Sequence, residues 1–194
     1  MRKIVLADTA GFCFGVDRAV NLVYSLVNDN EKVCTLGPII HNAQLVDDLK
    51  SKGVLIIDKP EQCPMGYKIV VRTHGVEKEI IEEIEKSGIS YVDATCPFVK
   101  KIHNIVKKYD SSVSVLIAGD SLHPEVKGIR SYCNGDSFVF KNENELEQII
   151  LHRHFDEKSD LICVSQTTFS QKEWKKCEKI IKKVCTNCKI FDTI

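Results

Sequence analysis

Short Val- and Ile-rich runs alternate with amphipathic segments along the whole chain, and this alternation limits the fold more than any other feature. Runs at 3–7, 33–36, 54–57, 69–72, 91–93, 113–118, 138–140, 161–164 and 189–191 are bounded by turn residues and read as strands. Helices fall between them. Asn42 caps a segment whose Leu45, Val46 and Leu49 share a face, with Gly53 at its end. Residues 77–87 place Ile80, Ile81 and Ile84 together ahead of Gly88. Pro97 suits a first helical position before Ile102, Ile105 and Val106. Ser170 and Glu173 form a capping box before Trp174, Cys177, Ile181 and Val184. Strands joined through helices imply α/β layers around a mostly parallel sheet.

No strict repeat is present. A looser echo is that strands end in short loops carrying one reactive residue, with a helix starting just after. Such loops lie at the carboxyl ends of strands, where open α/β sheets bind ligands. A boundary near Cys96 divides the chain into two similar α/β domains, 1–95 and 96–194.

Among the 194 residues, 43% are hydrophobic and 28% charged, enough apolar material for a real core. Lys+Arg and Asp+Glu each number 27, so the net charge is zero. That balance argues against a broad nucleic-acid or anionic-membrane surface, while leaving room for a small anion pocket. No apolar run approaches the roughly 20 residues of a membrane helix. The apolar stretch at the N-terminus is too short for a signal peptide. A cytoplasmic location is expected. The nine cysteines, in a reducing compartment, are then metal ligands, redox centres or small buried apolar residues.

Two cysteines stand in similar loops. Gly-Phe-Cys-Phe-Gly-Val at 11–16 follows the first expected strand and opens a helix marked by Val16, Val20, Val23 and Val27. Asp-Ala-Thr-Cys-Pro at 93–97 does the same further on. A cysteine at a helix N-terminus is favoured as thiolate, the form that binds iron or zinc. Flanking aromatics (Phe12, Phe14, Phe98) are expected to keep water off such a centre. The alternative is a buried cysteine packing a strand–helix turn.

Three histidines share a station between a strand and a helix: His41 in Gly-Pro-Ile-Ile-His-Asn at 37–42, His74 in Arg-Thr-His-Gly at 72–75, and His123 in His-Pro-Glu at 123–125. Imidazoles beside helix N-terminal amides suit a phosphate or diphosphate. His103, His152 and His154 lack this placement and are assigned to surface or helix faces. Glu125, two residues from His123, is either a proton donor or a first-turn acid complementing the helix dipole. Ser165, Gln166, Thr167 and Thr168 either hydrogen-bond a substrate hydroxyl or cap the next helix.

Taken in order, these six motifs, with Gln-Thr-Thr at 166–168 the last, resemble the 4-hydroxy-3-methylbut-2-enyl diphosphate reductase family. The resemblance implies three similar α/β domains around a cavity holding a 4Fe-4S cluster on three cysteines, Cys13 and Cys96 among them. It implies reductive dehydroxylation of the allylic diphosphate to isopentenyl and dimethylallyl diphosphate, with electrons from a ferredoxin or flavodoxin. It further implies that His41, His74 and His123 hold the diphosphate. His123 also assists proton delivery, Glu125 is the acid, and Thr167 orients the substrate hydroxyl. In the family, a segment like 191–194 leads into the third cluster cysteine. The expectation is therefore an incomplete chain, without its third domain and inactive alone.

Two other functions remain open on the residues: a cluster-free phosphate-binding module, and a zinc or thiol-redox protein built on Cys185 and Cys188. The better reading of that pair is surface thiols at a helix end. Cys34, Cys63, Cys133, Cys163 and Cys177 are read as packing residues.

Overall fold

The structure, a computed structural model, describes residues 4–8 and 10–194. Among the described residues, eight strands form two four-stranded sheets in which every pairing is parallel.

The first sheet belongs to a unit made of the described residues up to Thr73 together with Ser90–Cys96. Its elements are α1 (Phe14–Asn28), β1 (Val33–Leu36), α2 (Ala43–Ser51), β2 (Leu55–Ile57), a 3-10 turn at Pro60–Gln62, β3 (Lys68–Val71) and β4 (Tyr91–Asp93). The strand order is β2-β1-β3-β4, with Cys34 opposite Leu55 on one side and Ile69 on the other. One face packs Val33 and Val70 on Ala19, Val20 and Val23 of α1 and Leu49 of α2. Ile69 and Val71 are also fully buried, so β3 is covered on both faces, as parallel strands usually are.

The second unit comprises His74–Ile89 and Pro97–Ile194. It holds α3 (Lys78–Ser87), α4 (Pro97–Lys107), β5 (Ser114–Ala118), α5 (Pro124–Ser131), β6 (Ser137–Phe140), α6 (Glu143–Arg153), β7 (Leu161–Ser165), α7 (Gln171–Val184) and β8 (Lys189–Ile190). Its order, β6-β5-β7-β8, repeats that of the first sheet. Period-two alternation along β5 separates two cores. Val115 and Ile117 meet α4 and α5 through Ile102, Val106, Val126 and Ile129. Leu116 and Ala118 meet α6 and α7 through Leu146, Ile150, Trp174, Cys177 and Ile181.

In each sheet the order reverses between the first and third strands of its unit. Crevices at such points, beyond the carboxyl ends of the strands, are where doubly wound sheets bind ligands. The loops after β1 and β3, and after β5 and β7, carry most of the motifs read from sequence.

The fold expectation of two similar α/β units with parallel sheets is borne out. Several details are corrected. Residues 4–7 form no strand, and Ile4, Val5 and Leu6 are 94%, 75% and 81% exposed; Lys3 lies outside the described residues. A β-branched run becomes a strand only with a partner for its backbone, and none pairs with it among the described residues. Helix α6 went unread. The segment 74–89 precedes Cys96 in sequence yet belongs to the second unit, where Ser131 Oγ of α5 accepts from the Lys78 N–H of α3 at 2.8 Å. Gly88 ends α3 in the left-handed conformation, φ 69°.

Candidate functional site

The first unit builds a corner around its two motif cysteines. Cys13 is the N-cap residue of α1, and its side chain makes no capping hydrogen bond. Cys96 directly precedes Pro97, the first residue of α4. The two loops meet at Gly15: a Cβ built there would lie 2.5 Å from Cys96 Sγ and 3.1 Å from Cys96 Cβ. Only a glycine leaves room for the thiol against the first turn of α1.

Two further residues hold this corner. Arg18, in the second turn of α1, donates from Nη2 to the carbonyls of Thr95 (2.7 Å) and Ala94 (3.0 Å). Thr73, at the end of β3, donates from Oγ1 to the Ile39 carbonyl at 3.0 Å, and its own carbonyl accepts from the Cys96 N–H at 2.9 Å. Thr73 thereby joins the loop leading to His41 to the loop carrying Cys96. The Asp93 carboxylate accepts from the Thr95 N–H at 2.9 Å. His41 is exposed and precedes Asn42, whose side chain caps α2 by accepting from the Leu45 N–H at 3.0 Å.

The second unit builds an acid pocket at its own switch point. Glu125 sits in the first turn of α5 and is 1% exposed. Its Oε1 accepts from the Thr167 backbone N–H at 2.7 Å and its Oε2 from the Thr167 hydroxyl at 2.9 Å. Burial pushes the Glu125 carboxyl above the usual glutamate range, against the opposing pull of the two Thr167 hydrogen bonds. His123 is the N-cap of α5: its Nδ1 accepts from the Glu125 N–H at 3.1 Å, so the neutral ring carries its proton on Nε2. The His74 ring meets it edge to face, with centroids 5.3 Å apart.

Gln166 spans the crevice beneath. Its Oε1 accepts from the Asp120 N–H at 3.1 Å, in the loop after β5, and its Nε2 donates to Thr168 Oγ1 at 2.9 Å. Ser165, at the end of β7, is held by Thr193, whose Oγ1 accepts from the Ser165 N–H and donates to the Ser165 carbonyl, both at 2.8 Å.

Within the second unit, then, the structure brings together Glu125, Thr167, His123 and His74; within the first it brings Cys96 against the turn headed by Cys13. Arg18, Thr73 and the bridging role of Gln166 were not read from sequence. Their signal is weak: an arginine five positions after Cys13, and polar residues closing strands. The shared station of the three histidines holds only loosely, since the caps of α2 and α3 are Asn42 and Glu77 and only His123 is itself a cap.

Phe12, Phe14 and Phe98 are 47%, 65% and 61% exposed. His103 lies on a helix face, as one of its two assignments had it: it is in α4, 7% exposed and stacked on Tyr132 with centroids 4.4 Å apart. Cys185 is buried and Cys188 half-buried, so they are not surface thiols. Burial pushes both thiols up, Cys188 to about 12. Among the described residues, no group of three or more His, Cys, Asp and Glu side chains is placed to hold a metal ion. No helix among them is long and apolar enough to cross a membrane.

Comparison with known proteins places these features in one lineage. Residues 4–194 match the family described as LytB protein. A relative from Thermoanaerobacter sp. (strain X514), named 4-hydroxy-3-methylbut-2-enyl diphosphate reductase, is 38% identical over 197 residues, covering 99% of this chain and 66% of its own length. One of the same name from Clostridium acetobutylicum is 38% identical over all of this chain, which spans 30% of it. A solved structure of (E)-4-hydroxy-3-methyl-but-2-enyl diphosphate reductase, described as the terminal enzyme of the non-mevalonate pathway, superposes with a TM-score of 0.81 at 36% identity. It covers 98% of this chain and 67% of that one. The Plasmodium falciparum reductase structure superposes with a TM-score of 0.83 at 24% identity over 95% of this chain and 57% of that one, a likeness of fold. The resemblance read from the six motifs is borne out: the chain belongs to the LytB protein family.

Proposed function

We propose that this chain serves the reductive dehydroxylation of 4-hydroxy-3-methylbut-2-enyl diphosphate to isopentenyl and dimethylallyl diphosphate. The chain spans 66% of its Thermoanaerobacter relative, and the reading concerns the part of the reaction that its own residues serve. The observation that carries it is Glu125, a buried carboxyl held on both oxygens by Thr167 and shifted toward its protonated form.

The residues present fit an iron–sulfur cluster. Cys13 and Cys96 both stand at helix N-termini, and Gly15 leaves a cradle that a Cβ would fill. They would supply two of its thiolate ligands. When bound, a 4Fe-4S cluster supplies electrons, delivered by a ferredoxin or flavodoxin, and a Lewis-acidic iron for the substrate hydroxyl. The chain's residues do the rest. His41, His74 and His123 hold the diphosphate, His123 donating from Nε2. Glu125 gives up its proton as the hydroxyl departs as water, and burial shifts it in the direction that favours the protonated acid. Thr167 fixes the carboxyl and orients the substrate hydroxyl. Balanced charge and nine free cysteines accord with a cytoplasmic location.

The test is a chimera in which this chain replaces the matching segment of the Thermoanaerobacter relative. Reconstituted without oxygen, it is expected to bind iron and sulfide and to reduce the diphosphate. Cys13→Ser and Cys96→Ser should each lower bound iron, whereas Glu125→Gln should keep the iron and lose turnover. Unchanged iron in both cysteine variants, or normal turnover in Glu125→Gln, would overturn the assignment.

A further inference from the structure

A pair of thiols lies in the first unit, on residues with no place in the proposed reaction. Cys34 is in the middle of β1, fully buried, and fixed by pairing to Leu55 of β2 and Ile69 of β3. Cys63 directly follows the 3-10 turn at Pro60–Gln62 and is half-buried. Their sulfurs are 3.4 Å apart, with Cys34 donating to Cys63. The Cys63 thiol lies 3.7 Å from the carbonyls of both Pro64 and Tyr67. One sulfur is thus held by a rigid strand and the other by a loop that water reaches.

We propose that Cys34 and Cys63 form an oxidant-responsive dithiol that closes to a disulfide when a hydroperoxide reaches Cys63. Two features support this. The sulfurs are in van der Waals contact and need to approach by only about 1.4 Å to reach bonding distance. The loop carrying Cys63 is outside regular strand pairing, so it supplies that movement without breaking the sheet.

The chemistry proceeds in two balanced steps. The Cys63 thiolate attacks the terminal peroxide oxygen; the O–O bond breaks, the hydroperoxide leaves as an alcohol or water, and Cys63 becomes a sulfenic acid. The Cys34 sulfur then attacks the Cys63 sulfur. An S–S bond forms, the S–O bond breaks, and the oxygen leaves as water carrying the Cys34 proton. Overall the two thiols lose two electrons and two protons, and one hydroperoxide is reduced. Burial, and next the neighbouring Cys63, push the Cys34 thiol up to about 12. Rising pH therefore favours the second step by favouring the Cys34 thiolate.

Closure would lock β1, which leads into the His41 loop, to the segment that precedes β3.

The experiment treats the reduced, folded, metal-free 194-residue chain with hydrogen peroxide, traps remaining thiols by alkylation, and maps the peptides without reductant. The expected result is a Cys34–Cys63 linked peptide as the predominant disulfide, reversed by a thiol reductant and formed faster at pH 9 than at pH 7. Peroxide treatment of chain unfolded in urea should lose that preference. Cys63→Ser, a conservative change in a loop, should leave Cys34 reduced at the same dose. Oxidation of Cys63 to sulfinic acid without linkage, or disulfides spread evenly over other cysteine pairs in the folded chain, would overturn the proposal.

Discussion

Thr167 closes over both oxygens of Glu125, its backbone N–H on one at 2.7 Å and its hydroxyl on the other at 2.9 Å. Both bonds favour the carboxylate, and burial outweighs them. Thr167→Val removes the hydroxyl donor and keeps the shape and the backbone N–H. The Glu125 carboxyl should then move further up, with a loss of about 1 kcal/mol of stability. A carbon-13 NMR titration of the Glu125 carboxyl reads this directly. An unmoved midpoint would mean that the hydroxyl does not hold the carboxylate.

The same carboxyl imposes a pH dependence on stability. Its folded pKa lies above its unfolded value, so between the two the folded chain binds the extra proton. Its contribution is complete below the ordinary glutamate range and is lost as pH rises through the folded value. Glu125→Gln mimics the protonated acid, accepting from the Thr167 N–H and donating to its hydroxyl. The melting temperature of this variant, relative to the parent chain, should therefore rise from pH 4 to pH 8. A constant difference across that range would contradict the shifted pKa.

Gly15 sets two effects against each other. In an ordinary helical position, alanine gains about 1 kcal/mol over glycine. Here the added Cβ would meet the Cys96 thiol and its Cβ. Gly15→Ala is expected to destabilise the chain by about 1–3 kcal/mol, the usual range for overpacking. It should also speed alkylation of Cys96 as the thiol is displaced. Urea unfolding and a timed labelling experiment separate the two readouts, and a stabilised variant would show that the thiol simply rotates away.

Arg18→Ala leaves the carbonyls of Ala94 and Thr95, both on buried residues, without their donor. A cost of about 1–3 kcal/mol follows. Cys96 should become more reactive while Cys133, in the second unit, keeps its labelling rate. Equal changes at both cysteines would point to general loosening instead of a local strap.

Much of the architecture was legible because parallel α/β units write their strands as short apolar runs and their helices with clear stops. Strands 33–36 and 91–93 coincide with β1 and β4, and the Gly88 stop, the Pro97 start and the Asn42 and Ser170 caps hold. Helix α6 escaped because its apolar residues do not gather into one clear stripe. Residues 4–7 misled for the opposite reason: a strand's composition without a paired neighbour among the described residues.

The candidate site was legible where one residue carries the chemistry and illegible where contact does. Glu125 and Thr167 stand 42 positions apart, and nothing in either motif announces that one clasps the other. The same holds for Arg18 and the carbonyls 76 and 77 positions away. His103 was legible as a helix-face residue, but its stacking on Tyr132, which comes from a different segment, was not.

The course of the chain after Thr73 bears on how such a protein can be inherited. It enters the second unit at His74, returns at Ser90 and departs again at Pro97. No single cut in the gene parts one unit from the other. A fragment ending at Ile89 would carry α3 away from Ser131, which caps its first turn, and one beginning at Pro97 would arrive without α3. Recombination that exchanged either piece alone would split a packed unit, so the two sheets are expected to pass between lineages as one block.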